Sequence, residues 1–219
     1  MDVRSHVYAQ GGYTVMRSTL TMDTLATRAT IFLRLKSDDT AAREVAWTDF
    51  RARYAPIIAG FARKLSVKPQ DVDDVIQDVM LGFFAQSPTF VYDPTRGRFR
   101  GYLKVCTFRA MRRRLGKSAR LNQTPLDEVD PENVQVEQAW NDVWEEQLLQ
   151  RALDATRRQY AADGDEDAFR AFELHVIKGM QVLDVAREIG VSESTVYRAK
   201  TRVAASMKRR LADLEDSEG

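Results

Sequence analysis

Apolar residues recur along this chain at helical spacing, and one stretch shows the pattern best. Val72, Val75, Ile76, Val79, Met80, Phe83 and Phe84 repeat as i, i+3, i+4, i+7, i+8, i+11 and i+12, the stripe of an amphipathic helix. The other side carries Asp73, Asp74, Gln77 and Asp78. Upstream, Trp47, Phe50, Tyr54, Ile57, Ile58, Phe61 and Leu65 predict a helix of about five turns, with Asp39 or its neighbours as N-cap. Pro56 is expected to kink or restart it. Thr27 to Leu35 reads as a further short helix. Downstream, Phe99, Leu103, Cys106 and Ala110 give a narrower stripe, with Arg100, Lys104 and the later arginines expected to face out.

Periodicity then stops. From Gly116 to about Pro131 the chain holds Asn122, Pro125 and Asp127, which break regular structure. It resumes with Trp140, Val143, Trp144, Leu148 and Ala152 facing inward, breaks at residues 161–165, and returns in Phe169, Phe172 and Val176 as far as Gly179. No segment alternates with period two. The expected fold is all-α, two small helical bundles joined by an acidic linker. The boundaries expected are an N-terminal extension over 1–39, partly disordered, a first domain over 40–117, the linker over 118–138, a second domain over 139–212 and a tail over 213–219.

The second domain ends in a recognisable local pattern. Val182, Val185, Ala186 and Ile189 line one side of a short helix, Gly190 suits a left-handed turn, and Ser192 is placed to cap the next helix. Val191 and Val196 would pack the two helices together. This describes a helix-turn-helix whose second helix enters the major groove. Ser194, Thr195, Tyr197, Arg198, Thr201 and Arg202 are the candidate DNA-reading residues, with Lys200 near the backbone. Arginine can pair with guanine O6 and N7, and hydroxyls can touch base or phosphate. A plain helical hairpin with a solvated basic face is the alternative.

Charge sharpens the picture because it is segregated. The formal net charge is only +1, yet residues 96–120 hold ten Lys or Arg and no acid, and residues 121–150 hold eight acids and no base. Local patches, not the total, govern nucleic-acid binding. The single Cys106 excludes an intramolecular disulfide. No apolar run approaches the roughly 20 residues of a membrane span, and Thr, Arg and Asp interrupt residues 14–30, so a cytoplasmic location is expected. Catalysis finds no constellation. His6 lies in a tail expected to be poorly ordered, and His175 sits on a helix as packing or surface. Cys106 is expected in the core, and Asp71, Asp73, Asp74 and Asp78 point in several directions around one helix. No catalytic residue, metal site or cofactor is expected, and Thr95 to Gly101 fits no phosphate loop.

The run Asp71-Val-Asp-Asp-Val-Ile-Gln-Asp-Val-Met80 resembles the core segment of bacterial RNA polymerase sigma factors. Their usual wording is close to Asp-Ala-Glu-Asp-Val-Val-Gln-Glu-Val-Phe. Arg98-Phe-Arg-Gly-Tyr-Leu-Lys104 is similar to the aromatic-basic helix that follows in that family. An acidic linker and terminal helix-turn-helix complete the layout of the small extracytoplasmic-function subfamily, over roughly residues 40–210.

The resemblance implies that Asp73, Asp74, Gln77 and Asp78 dock on the clamp helices of the polymerase's largest subunit. It implies that Phe90, Tyr92, Arg98, Arg100, Tyr102, Lys104, Arg109, Arg112 and Arg113 read and open the −10 promoter element, and that the helix-turn-helix reads the −35 element. It implies core RNA polymerase and promoter DNA as partners, and for many relatives an anti-sigma protein. The acidic linker would thread toward the polymerase's RNA path. The family commonly has Trp at Tyr102 and Asn at Arg109, which puts the −10 preference in doubt. A free-standing helix-turn-helix regulator acting without polymerase is the competing reading; it leaves the Asp71–Arg120 stretch unexplained.

Overall fold

The computed structural model describes residues 28–86, 99–119 and 133–218. Among these there is no strand, and the fold is all-α. In order the helices are α1 (Arg28–Leu35), α2 (Thr40–Lys64), α3 (Pro69–Gln86), α4 (Phe99–Ala119), α5 (Val134–Ala162), α6 (Glu166–Phe172), α7 (Val182–Ile189) and α8 (Glu193–Glu218). A five-residue π-helical turn, Glu173–Ile177, extends α6.

Asp39 caps α2 as expected, its carboxylate accepting from the Ala41 N–H at 2.9 Å. The expected restart at Pro56 does not occur: α2 is helical from Thr40 to Lys64 with Pro56 inside. An interior proline costs about 3 kcal/mol. Here Tyr54, Ile57 and Ile58 flank it and are all buried, while Pro56 itself is exposed, so packing on both sides holds the helix together. Ser66 then takes φ 61° and the Val67 N–H reaches the Ala62 carbonyl at 3.0 Å. This left-handed stop folds α3 back beside α2, and Pro69 opens α3 where its missing N–H costs nothing.

The main core is aromatic at its centre. Phe50 is fully buried and stacks on Phe83 (4.4 Å between centroids, 4° between planes), with Phe32, Trp47, Tyr54 and Phe99 around it. Ile31, Phe32 and Leu35 of α1 belong to this core. So do Val136, Trp140, Val143, Trp144 and Leu148 of α5, and Leu211 and Leu214 pack against it from α8. Asn133 caps α5 (Gln135 N–H, 2.8 Å), so the helix starts at Val134, before the residue 139 expected. At the other end of the expected linker, α4 runs on past Gly116 to Ala119.

Two smaller clusters follow among the described residues. Phe169, Phe172 and Val203 meet Leu153 and Tyr160. Val182, Val185, Ala186 and Val196 close the α7–α8 pair with Ala171 and Leu174.

Candidate protein and nucleic-acid interface

The α2–α3 hairpin leaves a groove of about 650 Å³ along its outer side. Its apolar lining is Trp47, Ile76, Met80, Leu81 and Phe84, and Asp73, Gln77 and Arg51 supply the polar rim. A second hollow continues along α2 past Ala55 and Pro56 to Arg63. Phe84 is 54% and Leu81 59% exposed. The α3 stripe is therefore wider than the core it meets. Val72, Val75, Val79 and Phe83 are buried, whereas the Ile76–Met80–Phe84 edge forms the groove wall. Sequence reasoning named the acidic side of α3 and missed this edge, although the width of the stripe was the available signal.

The four acidic-face residues divide. Asp73 and Gln77 are exposed on the groove rim. Asp74 and Asp78 are gripped by Arg114 of α4, which donates from Nη1 to Asp74 (2.8 Å) and from Nε and Nη2 to Asp78 (2.8 and 2.9 Å). The fork-shaped contact with Asp78 is the two-point geometry that favours arginine. It ties α4 to α3.

The basic helix α4 presents three faces. Arg114 turns to α3. Arg100 and Lys104 turn to α5, against the expectation that they face out. Lys104 is only 8% exposed and is ion-paired with Glu137, and Arg100 donates to Asn141 and lies 5.2 Å over the Trp144 ring. The reason is tertiary: α5 brings an acid, an amide and an aromatic ring to that side, and a buried ammonium needs such a partner. The third face is the stripe Tyr102, Cys106, Arg109, Arg113, spaced by four, three and four residues, with the exposed Arg112 beside it. Phe90, Tyr92 and Arg98 lie outside the described residues, as do the 1–27 segment and residues 120–132 of the acidic linker.

Tyr102 is half-buried beside Phe83 and Phe99. Burial, reinforced by the hydrogen bond with Cys106, pushes its phenol well above the ordinary tyrosine range. Cys106 is half-buried rather than fully enclosed; burial raises its thiol, while the Tyr102 hydrogen bond and the charges of Arg109 and Arg113 oppose that. The unfolded Tyr102 phenol ionises near 10 and the folded one later. Its contribution to stability is thus complete below that pH and declines above it. In an alkaline ultraviolet titration Tyr102→Phe should remove one late-ionising phenol from the profile; an unchanged profile contradicts the geometry.

The α7–α8 turn forms as expected. Gly190 sits at φ 71°, ψ 33°, and the Val191 N–H reaches the Ala186 carbonyl at 3.0 Å. Ser192 Oγ accepts from the Thr195 N–H (3.2 Å) and meets the Ser194 and Thr195 hydroxyls at 2.9 and 2.8 Å. Gly190→Val forces a β-branched residue into the left-handed region and should cost about 1–2 kcal/mol, read as a lower thermal midpoint. Ser194, Tyr197, Arg198, Lys200 and Thr201 are exposed on α8, and Arg198 donates to Thr195 (3.1 Å). Arg202 turns instead to Asp165, with its guanidinium 5.7 Å over Tyr160. His175 is explained by packing: Nδ1 lies 2.9 Å from the Met180 carbonyl and the ring meets Tyr197 edge-on.

Among the described residues no helix is long and apolar enough to cross a membrane, and no group of three His, Cys, Asp or Glu could hold a metal ion. Residues 50–121, about a third of the chain, match the family model for sigma-70 region 2. No curated protein matches. The family match spans α2 from Phe50, α3 and α4, which carry the basic stripe and all of the groove lining except Trp47 and Thr48. It supports a sigma factor of the sigma-70 family, a non-enzymatic factor with a role in binding RNA polymerase and promoter DNA at transcription initiation.

Proposed function

We propose that this chain is a sigma factor of the extracytoplasmic-function type, acting in the cytoplasm as the promoter-reading subunit of RNA polymerase. The observation that carries the proposal is the matched region itself, with an apolar groove along α2 and α3 and an arginine stripe on α4. The groove, with Asp73 and Gln77 on its rim, takes the clamp helices of the polymerase. Asp74 and Asp78 work through Arg114 and hold the basic helix at a set angle to that docking face.

The stripe of Tyr102, Arg109 and Arg113, with Arg112, meets the −10 element. Opening DNA costs a few kcal/mol per unstacked step, and an aromatic ring recovers ~1–3 kcal/mol per stacked base. The arginines hold phosphates and make the contact fall steeply with salt. The capped amino end of α8 then reads the −35 element as duplex through Ser194, Tyr197, Arg198 and Thr201, and Lys200 touches the backbone. Arg202, held by Asp165, orients the helix.

Run-off transcription over genomic fragments tests the reading. Purified chain plus core polymerase should give promoter-dependent transcripts. No such product on any fragment, with active core, rejects it.

A further inference from the structure

The start of α8 carries an inference beyond the contacts proposed above, though it rests on the reading of α8 as the −35 helix. Several of its exposed side chains are set from within the helix or its cap. The Ser194 and Thr195 hydroxyls meet Ser192 Oγ at 2.9 and 2.8 Å, Arg198 donates to Thr195 Oγ1, and the Thr201 hydroxyl donates to the Tyr197 carbonyl at 3.1 Å. The Tyr197 ring is set differently. It is 55% exposed, and it meets a ring from another element, that of His175. The centroids are 6.3 Å apart and the planes cross at 78°, the edge-to-face arrangement that aromatic pairs favour.

His175 is itself anchored. It lies in the π-helical turn Glu173–Ile177, where the Lys178 N–H bonds to the Glu173 carbonyl five residues back at 2.9 Å. Turns of this wider kind, set into helices, gather at functional sites. Gly179 then takes φ 71°, and the Met180 N–H returns to the Leu174 carbonyl at 3.0 Å. The Met180 carbonyl lies 2.9 Å from His175 Nδ1. A carbonyl only accepts, so Nδ1 carries the proton. The imidazole is thus tied to the loop that leads into α7, with its ring against the exposed tyrosine.

An exposed tyrosine on a helix has more than one staggered rotamer open to it, and ordering such a side chain at an interface costs entropy. An anchored ring beside it selects among those rotamers before any partner arrives. We infer that His175 is a positioning residue for −35 recognition: held by the Met180 carbonyl, its ring pre-sets Tyr197 in the orientation that meets the promoter duplex. It acts through Tyr197.

Open-complex formation by the full chain with core polymerase tests this on a promoter mapped by run-off transcription, with its −35 element intact or replaced. The gain from the intact element is a ratio within one protein, so a partial loss of folded chain cancels. His175→Asn sets an amide where Nδ1 stands, which keeps a donor for the Met180 carbonyl and removes the ring. It should cut the gain about fivefold, the scale of one aromatic pair. Tyr197→Ala should cut it at least as much, and adding His175→Asn to Tyr197→Ala should change nothing further, because the two rings act as one unit. A full gain in either single variant overturns the inference. So does an equal further loss from His175→Asn in the Tyr197→Ala background, which would make His175 structural only. Both results leave the sigma reading standing. Absence of any transcript from the wild-type chain with active core overturns the sigma reading, and this inference with it.

Discussion

Phe50→Ala lowers the unfolding free energy by about 3–5 kcal/mol. The side chain is fully buried and touches rings from α1, α2, α3 and α4, with its closest parallel stack on Phe83. Truncation removes that transfer energy and leaves a cavity that the five surrounding rings cannot close. Since domains of this kind are stable by about 5–15 kcal/mol, this single change takes a large share of the total. Urea denaturation followed by circular dichroism measures it as a fall in midpoint at nearly constant slope. A loss below about 1 kcal/mol would mean the aromatic centre repacks freely, contrary to the close-packed arrangement of its rings.

Phe84→Ala has the largest expected effect on assembly. The ring is more than half exposed, meets Trp47 at 4.9 Å, and forms the end wall of the α2–α3 groove. Its loss should barely change the melting temperature. Affinity for core polymerase should fall by about 2 kcal/mol or more, roughly thirtyfold, as expected of an aromatic anchor at an interface centre. Titration of labelled chain with core enzyme reads this directly. Asp73→Arg should weaken binding in a salt-sensitive way from the groove rim, whereas Asp74→Asn should act mainly by loosening Arg114. Equal affinity of wild type and Phe84→Ala would move the docking face away from the groove.

Much of this was legible in the sequence because short-range physics decides it. The α3 stripe, the Asp39 cap, the left-handed Gly190 and the Ser192 cap each depend on residues within a turn or two. Lys104 shows where legibility ends. Helical spacing left it facing out, and its burial depends on Glu137, 33 residues later and across the linker. Pro56 reads as a break until the buried residues on both sides of it are seen to come from one continuous surface. Phe84 follows the periodicity perfectly yet faces the groove, because a stripe records which side is apolar and not where the neighbouring helix stops. The partners of Arg202 were equally hidden in the sequence, because the α5–α6 corner brings Asp165 and Tyr160 to it.

The central claim is that this chain opens promoter DNA together with core polymerase. Permanganate footprinting on a promoter found by run-off transcription tests it most directly. Thymines around −10 should become reactive only when chain and core enzyme are both present, and Arg109→Glu with Arg113→Glu should remove the reactivity while polymerase binding persists. Tight duplex binding by the chain alone, with no reactive thymine in the presence of core polymerase, would contradict the account and identify a free-standing regulator.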